Sequence, residues 1–159
     1  MSTPFILIVD DEPGIARLCE RLLGRAGFQV LSFTEPRKAM TYLQENEIDL
    51  LLVDIRMPEI DGFSLVNFAK EYQPDIATLI MTGFGTVETA IKALRQGVDG
   101  LILKPFEKGD ELVDAARQAL ADKQRKRDAA HMQALRPLFD VTEKFLAETR
   151  PEGLPELIV

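Results

Sequence analysis

Through the first 120 residues or so, short apolar runs alternate with segments whose apolar residues recur every three or four positions. Phe5-Ile6-Leu7-Ile8-Val9 is continuously apolar and ends in Asp10-Asp11. A run that offers apolar side chains to both faces predicts a strand covered on both sides, as in a parallel sheet. Pro13 then stands where a first helical turn would begin. Ile15, Leu18, Cys19, Leu22 and Leu23 follow at helical spacing, and Gly27 closes that helix. Residues 29–33 predict a second strand. Residues 35–44 predict a helix with Pro36 in its first turn and Ala39, Met40 and Leu43 on one face. The run Leu50-Leu51-Leu52-Val53 repeats the first pattern, ends at Asp54 and leads into a loop at Met57-Pro58. A helix follows over 62–71 with Leu65, Val66, Phe68 and Ala69 as its apolar positions, and then a strand over 77–81 ends in Thr82-Gly83. The spacing next predicts a helix over 87–96 with Ala90, Ile91 and Leu94 facing inward. A strand over 101–103 ends at Lys104-Pro105, and a last helix is marked by Leu112, Val113, Ala116, Ala119 and Leu120.

Five strands alternating with five helices imply parallel strands with crossover helices on both faces. Ligands of such sheets bind beyond the carboxyl ends of the strands. Those ends carry Asp10-Asp11, Asp54, Thr82 and Lys104, so three carboxylates, a hydroxyl and an amine should converge at one edge. Clustered carboxylates repel one another unless a cation sits among them. An oxygen-only donor set selects a hard cation, and magnesium suits it while leaving coordination positions for water and phosphate. A lysine ammonium and a threonine hydroxyl are matched to phosphoryl oxygens. Together these groups predict phosphoryl transfer to a carboxylate. Each residue also has a plainer reading: Asp10 or Asp11 as a helix cap, Asp54 and Thr82-Gly83 as turn residues, Lys104 as a solvated lysine. All of these would have to hold together for the site to be illusory.

The combination Asp10-Asp11, Asp54, Met57-Pro58, Asp61-Gly62, Thr82-Gly83 and Lys104-Pro105-Phe106 strongly resembles the response regulator receiver domain of two-component signalling, over residues 4 to about 122. The resemblance implies a flavodoxin-like, doubly wound α/β fold with a five-stranded parallel sheet of order 2-1-3-4-5 and an extended C-terminal helix. It implies that Asp54 is the phosphoacceptor, served by a sensor histidine kinase or phosphotransfer protein. Magnesium would be ligated by Asp11, Asp54 and the backbone carbonyl of Arg56, with Asp10 acting through a bound water. Thr82 and Lys104 would contact the phosphoryl group, and the side chains of Arg56 and Phe84 would tune its hydrolysis. One departure stands out. Receivers commonly carry Tyr or Phe three residues before the lysine, and this chain has Leu101. Either a shorter aliphatic shift replaces the aromatic switch or the output is driven another way.

Composition narrows the field. The net charge of −7 argues against a nucleic-acid-binding surface. Cys19 is the single cysteine, which excludes an internal disulfide, fits a reducing cytoplasmic setting, and falls on the apolar helix face as a core residue. No apolar run approaches the ~20 residues of a membrane span, and the N-terminus has no signal-peptide pattern. Charge is uneven: residues 1–122 carry 20 acidic and 12 basic side chains, residues 123–159 carry 6 and 7. The expected division is a receiver over 1–122 and a helical linker, or the start of a following domain, over 123–159. The basic run Lys123, Arg125, Lys126, Arg127 reads as a solvated helix face. His131, Leu135, Leu138, Thr142 and Phe145 suggest a short dimeric coiled coil, interrupted at Pro137. The segment from Leu135 onward resembles the lead-in helix to a GAF-type sensory domain. His131 is followed by Met132, without the acidic neighbour of a kinase phosphoacceptor motif.

The reading is a phosphorylation-dependent switch rather than an enzyme, homodimeric through the face of the fourth and fifth helices or through the linker helix. The alternatives are a receiver-fold interaction module that works without phosphorylation, the receiver part of a hybrid histidine kinase, and an aspartate-nucleophile phosphatase. The last would need a cap domain, and no insertion is long enough to build one.

Overall fold

The structure, a computed structural model, describes residues 3–83, 85–104 and 109–134, the last four by backbone alone. The element order is β1 (Phe5–Val9), α1 (Pro13–Arg25), β2 (Gln29–Phe33), α2 (Pro36–Glu45), β3 (Leu50–Asp54), α3 (Gly62–Tyr72), β4 (Ala77–Thr82), α4 (Val87–Arg95), β5 (Gly100–Leu103) and α5 (Gly109–Ala134). The strands form one sheet of order β2-β1-β3-β4-β5, and all four pairings are parallel. The expected doubly wound α/β sheet is the observed one.

Successive side chains of a strand point to opposite faces, so each apolar run feeds two cores. Leu7, Val9, Leu51, Val53 and Ile80 pack with Ala39 and Leu43 of α2, Leu65, Val66 and Ala69 of α3, and Ala93 of α4. Ile6, Ile8, Leu50, Leu52, Leu79 and Met81 pack on the other face with Cys19 and Leu23 of α1 and with Leu112, Ala116 and Ala119 of α5. Cys19 is fully buried with its thiol 3.8 Å from the Met81 sulfur, and burial first, then the charge of Asp10, pushes that thiol up to about 12. It is the inert core residue the sequence suggested.

The helices begin and end on local signals. Pro13 and Pro36 open α1 and α2, while Asp61 and Thr86 cap α3 and α4 by accepting from the Ser64 and Thr89 N–H groups at 2.8 and 3.1 Å. After α1 the chain turns through Gly27, whose φ of 101° lies in the left-handed region.

Two expectations are corrected. Ile91 and Leu94 of α4 do not face inward: they are 43% and 77% exposed, and the buried residue of that helix is Ala93. The small alanine permits close approach to the sheet, which fixes the helix rotation and turns the larger side chains out. Lys123 is not solvated. Its ammonium donates to Asp49 Oδ1 at 3.2 Å and its side chain is 11% exposed, whereas residues 124–130 are exposed.

The chain divides into two compact units, Met1–Lys123 and Gln124–Val159. The predicted coiled coil, Pro137 and the GAF-like lead-in lie outside the described residues, as does the side chain of His131. No helix among the described residues is long and apolar enough to cross a membrane.

Candidate functional site

The parallel register carries the ends of β1, β3, β4 and β5 to one edge. Asp10 and Asp11 follow β1, Asp54 is the last residue of β3, Thr82 the last of β4, and Lys104 follows β5. Asp10, Asp11 and Asp54 each offer a carboxylate oxygen, and these oxygens lie within 4.8 Å of one another. Lys104 reaches into the same space. Its Nζ donates to Asp10 Oδ2 at 2.8 Å and lies 3.1 Å from Asp54 Oδ1. Its backbone N–H donates to the Thr82 carbonyl at 2.8 Å, which ties the lysine to the end of β4.

Asp10 is fully buried, and its other oxygen accepts from the Glu12 N–H at 2.9 Å. Asp54 and Thr82 are also buried. Asp11 is half-buried.

The plainer readings of these residues therefore fail on geometry. Glu12, not Asp10 or Asp11, occupies the N-cap position of α1. Asp54 and Thr82 end strands rather than form turns, and the Lys104 side chain is only 13% exposed.

The electrostatics follow from burial and then from crowding. Burial, and after it the neighbouring charge of Asp10, holds the Asp54 carboxyl above the ordinary carboxylate range despite the opposing pull of Lys104. Burial alone would lower the Lys104 ammonium. Its hydrogen bond to Asp10, the Asp10 charge and the same two contributions from Asp54 outweigh that effect and hold it above an ordinary lysine. The cluster of three carboxylates thus holds a single ammonium, which leaves it with a net negative charge. An oxygen-only set with unneutralised negative charge fits a hard divalent cation, and magnesium in particular.

Backbone packing fixes the chain around Asp54. The Gly62 N–H donates to the Ile55 carbonyl at 2.8 Å, and a Cβ on Gly62 would collide with the Asp54 carbonyl oxygen and come within 2.9 Å of Ile55 Cα. The glycine lets α3 begin directly against the chain leaving Asp54, and Asp61 caps the helix one residue earlier. Arg56, two residues beyond Asp54, is exposed. Leu101 is half-buried, pairs with Ile80 in the sheet register and packs against the core on the α2–α4 face. Phe84 lies outside the described residues.

The sequence reading missed one member of this constellation. Glu12 Oε1 lies 3.8 Å from Lys104 Nζ, a third carboxylate on the same ammonium. The signal was present as the third acid of the run Asp10-Asp11-Glu12, but its approach to a residue 92 positions away depends on the fold.

The receiver domain pattern matches residues 6–117, described as the response regulator receiver domain. The chain belongs to the response regulator receiver domain family. Among curated relatives of this receiver domain, the C4-dicarboxylate transport transcriptional regulatory protein DctD of Rhizobium meliloti is 30% identical over 97% of the chain and 31% of its own length. The regulatory protein AtoC of Escherichia coli is 34% identical over 80% of the chain and 27% of its own length. The chain thus spans about a third of the length of these relatives. Among solved structures, the CheY-like response regulator receiver domain protein from Methanospirillum hungatei superposes with a TM-score of 0.73 at 25% identity, covering 79% of this chain and 99% of that one. The receiver domain is a module of two-component signalling.

Proposed function

We propose that this receiver domain is a phosphorylation-dependent switch in which Asp54 accepts a phosphoryl group from a sensor histidine kinase or a phosphotransfer protein. The observation that carries the reading is Lys104 Nζ lying between buried Asp10 and Asp54, at 2.8 and 3.1 Å, beside a cluster of three carboxylates.

In the proposed step an Asp54 carboxylate oxygen attacks phosphorus in line. The new O–P bond forms as the P–N bond of the donor phosphohistidine breaks. The electron pair leaves with the imidazole, which takes a proton from solvent. Lys104 turns its ammonium from the carboxylates to a phosphoryl oxygen, and the Thr82 hydroxyl binds another. Asp11, Asp54 and the Arg56 carbonyl would hold magnesium, with Asp10 acting through a bound water. When bound, the cation offsets charge on the phosphoryl oxygens. The exposed Arg56 side chain, together with Phe84, tunes hydrolysis of the acyl phosphate.

The domain is a switch and not a turnover enzyme: its own chemistry is limited to self-phosphorylation and autodephosphorylation. It works in the cytoplasm, as a homodimer through the face of α4 and α5 or through the linker helix. The names of the relatives support a place ahead of a transcriptional output in a longer chain. With Leu101 at the usual aromatic position, either an aliphatic shift relays the change from Thr82 or the output is driven by another route.

Incubation with acetyl phosphate and magnesium should add the mass of one phosphoryl group, and Asp54→Asn should add none. Wild-type protein that neither takes a phosphoryl group nor binds magnesium would overturn the reading.

A further inference from the structure

Glu12 stands at the pocket with a side chain the fold does not use. Its backbone is structural: the N–H donates to Asp10 Oδ1, and the carbonyl accepts from the Ile15 and Ala16 N–H groups at 3.1 Å each. Its carboxylate accepts no capping hydrogen bond, although it occupies the N-cap position of α1. The carboxylate lies instead 3.8 Å from Lys104 Nζ. Three carboxylates surround that ammonium, and their exposures differ sharply. The side chains of Asp10 and Asp54 are 0% and 8% exposed, that of Glu12 is 66% exposed. Asp10 and Asp54 hold the lysine from within, and Glu12 meets it from the solvent side.

We propose that Glu12 is an entrance carboxylate that sets the charge specificity of phosphodonor use, holding back free, highly anionic donors from Lys104 and Asp54. The proposal rests on the reading of Asp54 as phosphoacceptor. A phosphodonor must bring its negatively charged oxygens to Lys104 past Glu12. Repulsion between them grows with the donor's charge and is weakened by salt, because the carboxylate is in water. Glu12 would thereby disfavour free donors of the acyl phosphate class relative to less anionic ones.

The test uses the full chain at saturating magnesium, so that a change in cation affinity cannot produce the effect. Rates of phosphoryl incorporation are compared for wild type, Glu12→Gln and Glu12→Asp with acetyl phosphate and with the less anionic phosphoramidate, at low and high salt. Glu12→Gln should accelerate acetyl phosphate use about three- to ten-fold at low salt, the range expected for one removed charge at such separations in water. The gain should be smaller with phosphoramidate and shrink towards unity by ~0.5 M salt. Glu12→Asp, which keeps the charge, should stay close to wild type. Equal or slower reaction of Glu12→Gln, the same gain on both donors, or a gain that persists in salt would each overturn the proposal. Wild-type protein that takes no phosphoryl group from either donor would overturn the Asp54 reading along with it.

Discussion

At the N-terminal edge of the sheet, Asp49 precedes β3 and Asp99 precedes β5, and each carboxylate has donors of its own. Asp49 accepts from the Phe5 N–H at 2.8 Å and from Lys123 at 3.2 Å, and Asp99 accepts from the Thr78 N–H at 2.9 Å. At the C-terminal edge, Asp10, Asp11 and Asp54 crowd together, and Lys104 is shared among Asp10, Asp54 and Glu12. The residue type is the same and its use is opposite. A carboxylate that meets backbone N–H groups at the start of a strand pins two strands together, so it is structural. Carboxylates that converge on one cation leave negative charge unneutralised, and that excess suits the edge to a divalent cation.

This contrast can be broken experimentally. The largest effect is expected from Lys104→Ala. It leaves the fully buried Asp10 without its ammonium, and breaking one partner from such a pair costs about 3–5 kcal/mol. Denaturant unfolding in the presence of a chelator measures the loss, and added magnesium should restore part of it. No recovery with magnesium would count against a cation at this edge.

Asp49→Ala should cost less, about 1–3 kcal/mol, because it strands a part-buried Phe5 N–H and unpairs Lys123. Magnesium should not restore it, and any such restoration would erase the distinction between the two edges.

The smallest effect is expected from Asp54→Asn, and it is of opposite sign. The folded carboxyl of Asp54 is held above its ordinary value, so between the unfolded value, about 4, and the raised folded one, the folded state binds the proton more tightly. Stability of the wild type therefore falls as pH rises through that window and carries a constant penalty above it. The asparagine variant lacks this loss. In chelator it should match wild type near the bottom of the window and exceed it at neutral pH, as read from melting temperatures across pH. A variant less stable than wild type at neutral pH would show that the Lys104 contact outweighs burial and the Asp10 charge.

The sequence by itself determined the elements. Strand runs, their terminating aspartates and the helix starts at Pro13 and Pro36 are local signals, and the strands fall where the apolar runs lie. Because parallel strands must end at a common edge, the convergence of Asp10, Asp11, Asp54, Thr82 and Lys104 was also legible in the strand ends themselves. Tertiary structure decided what periodicity leaves open. Spacing tells which residues of α4 share a face. It does not tell how far the helix is rotated about its axis, and packing of Ala93 onto the sheet settled that with Ile91 and Leu94 outside. Lys123 was indistinguishable from its solvated neighbours until α5 laid it against Asp49, 74 residues earlier in the chain. Nothing local marks Glu12 as a neighbour of Lys104, a place that arises only when β5 brings the two together. Local sequence fixes backbone conformation through hydrogen bonding and sterics, whereas these pairings arise only when the sheet order makes distant segments neighbours.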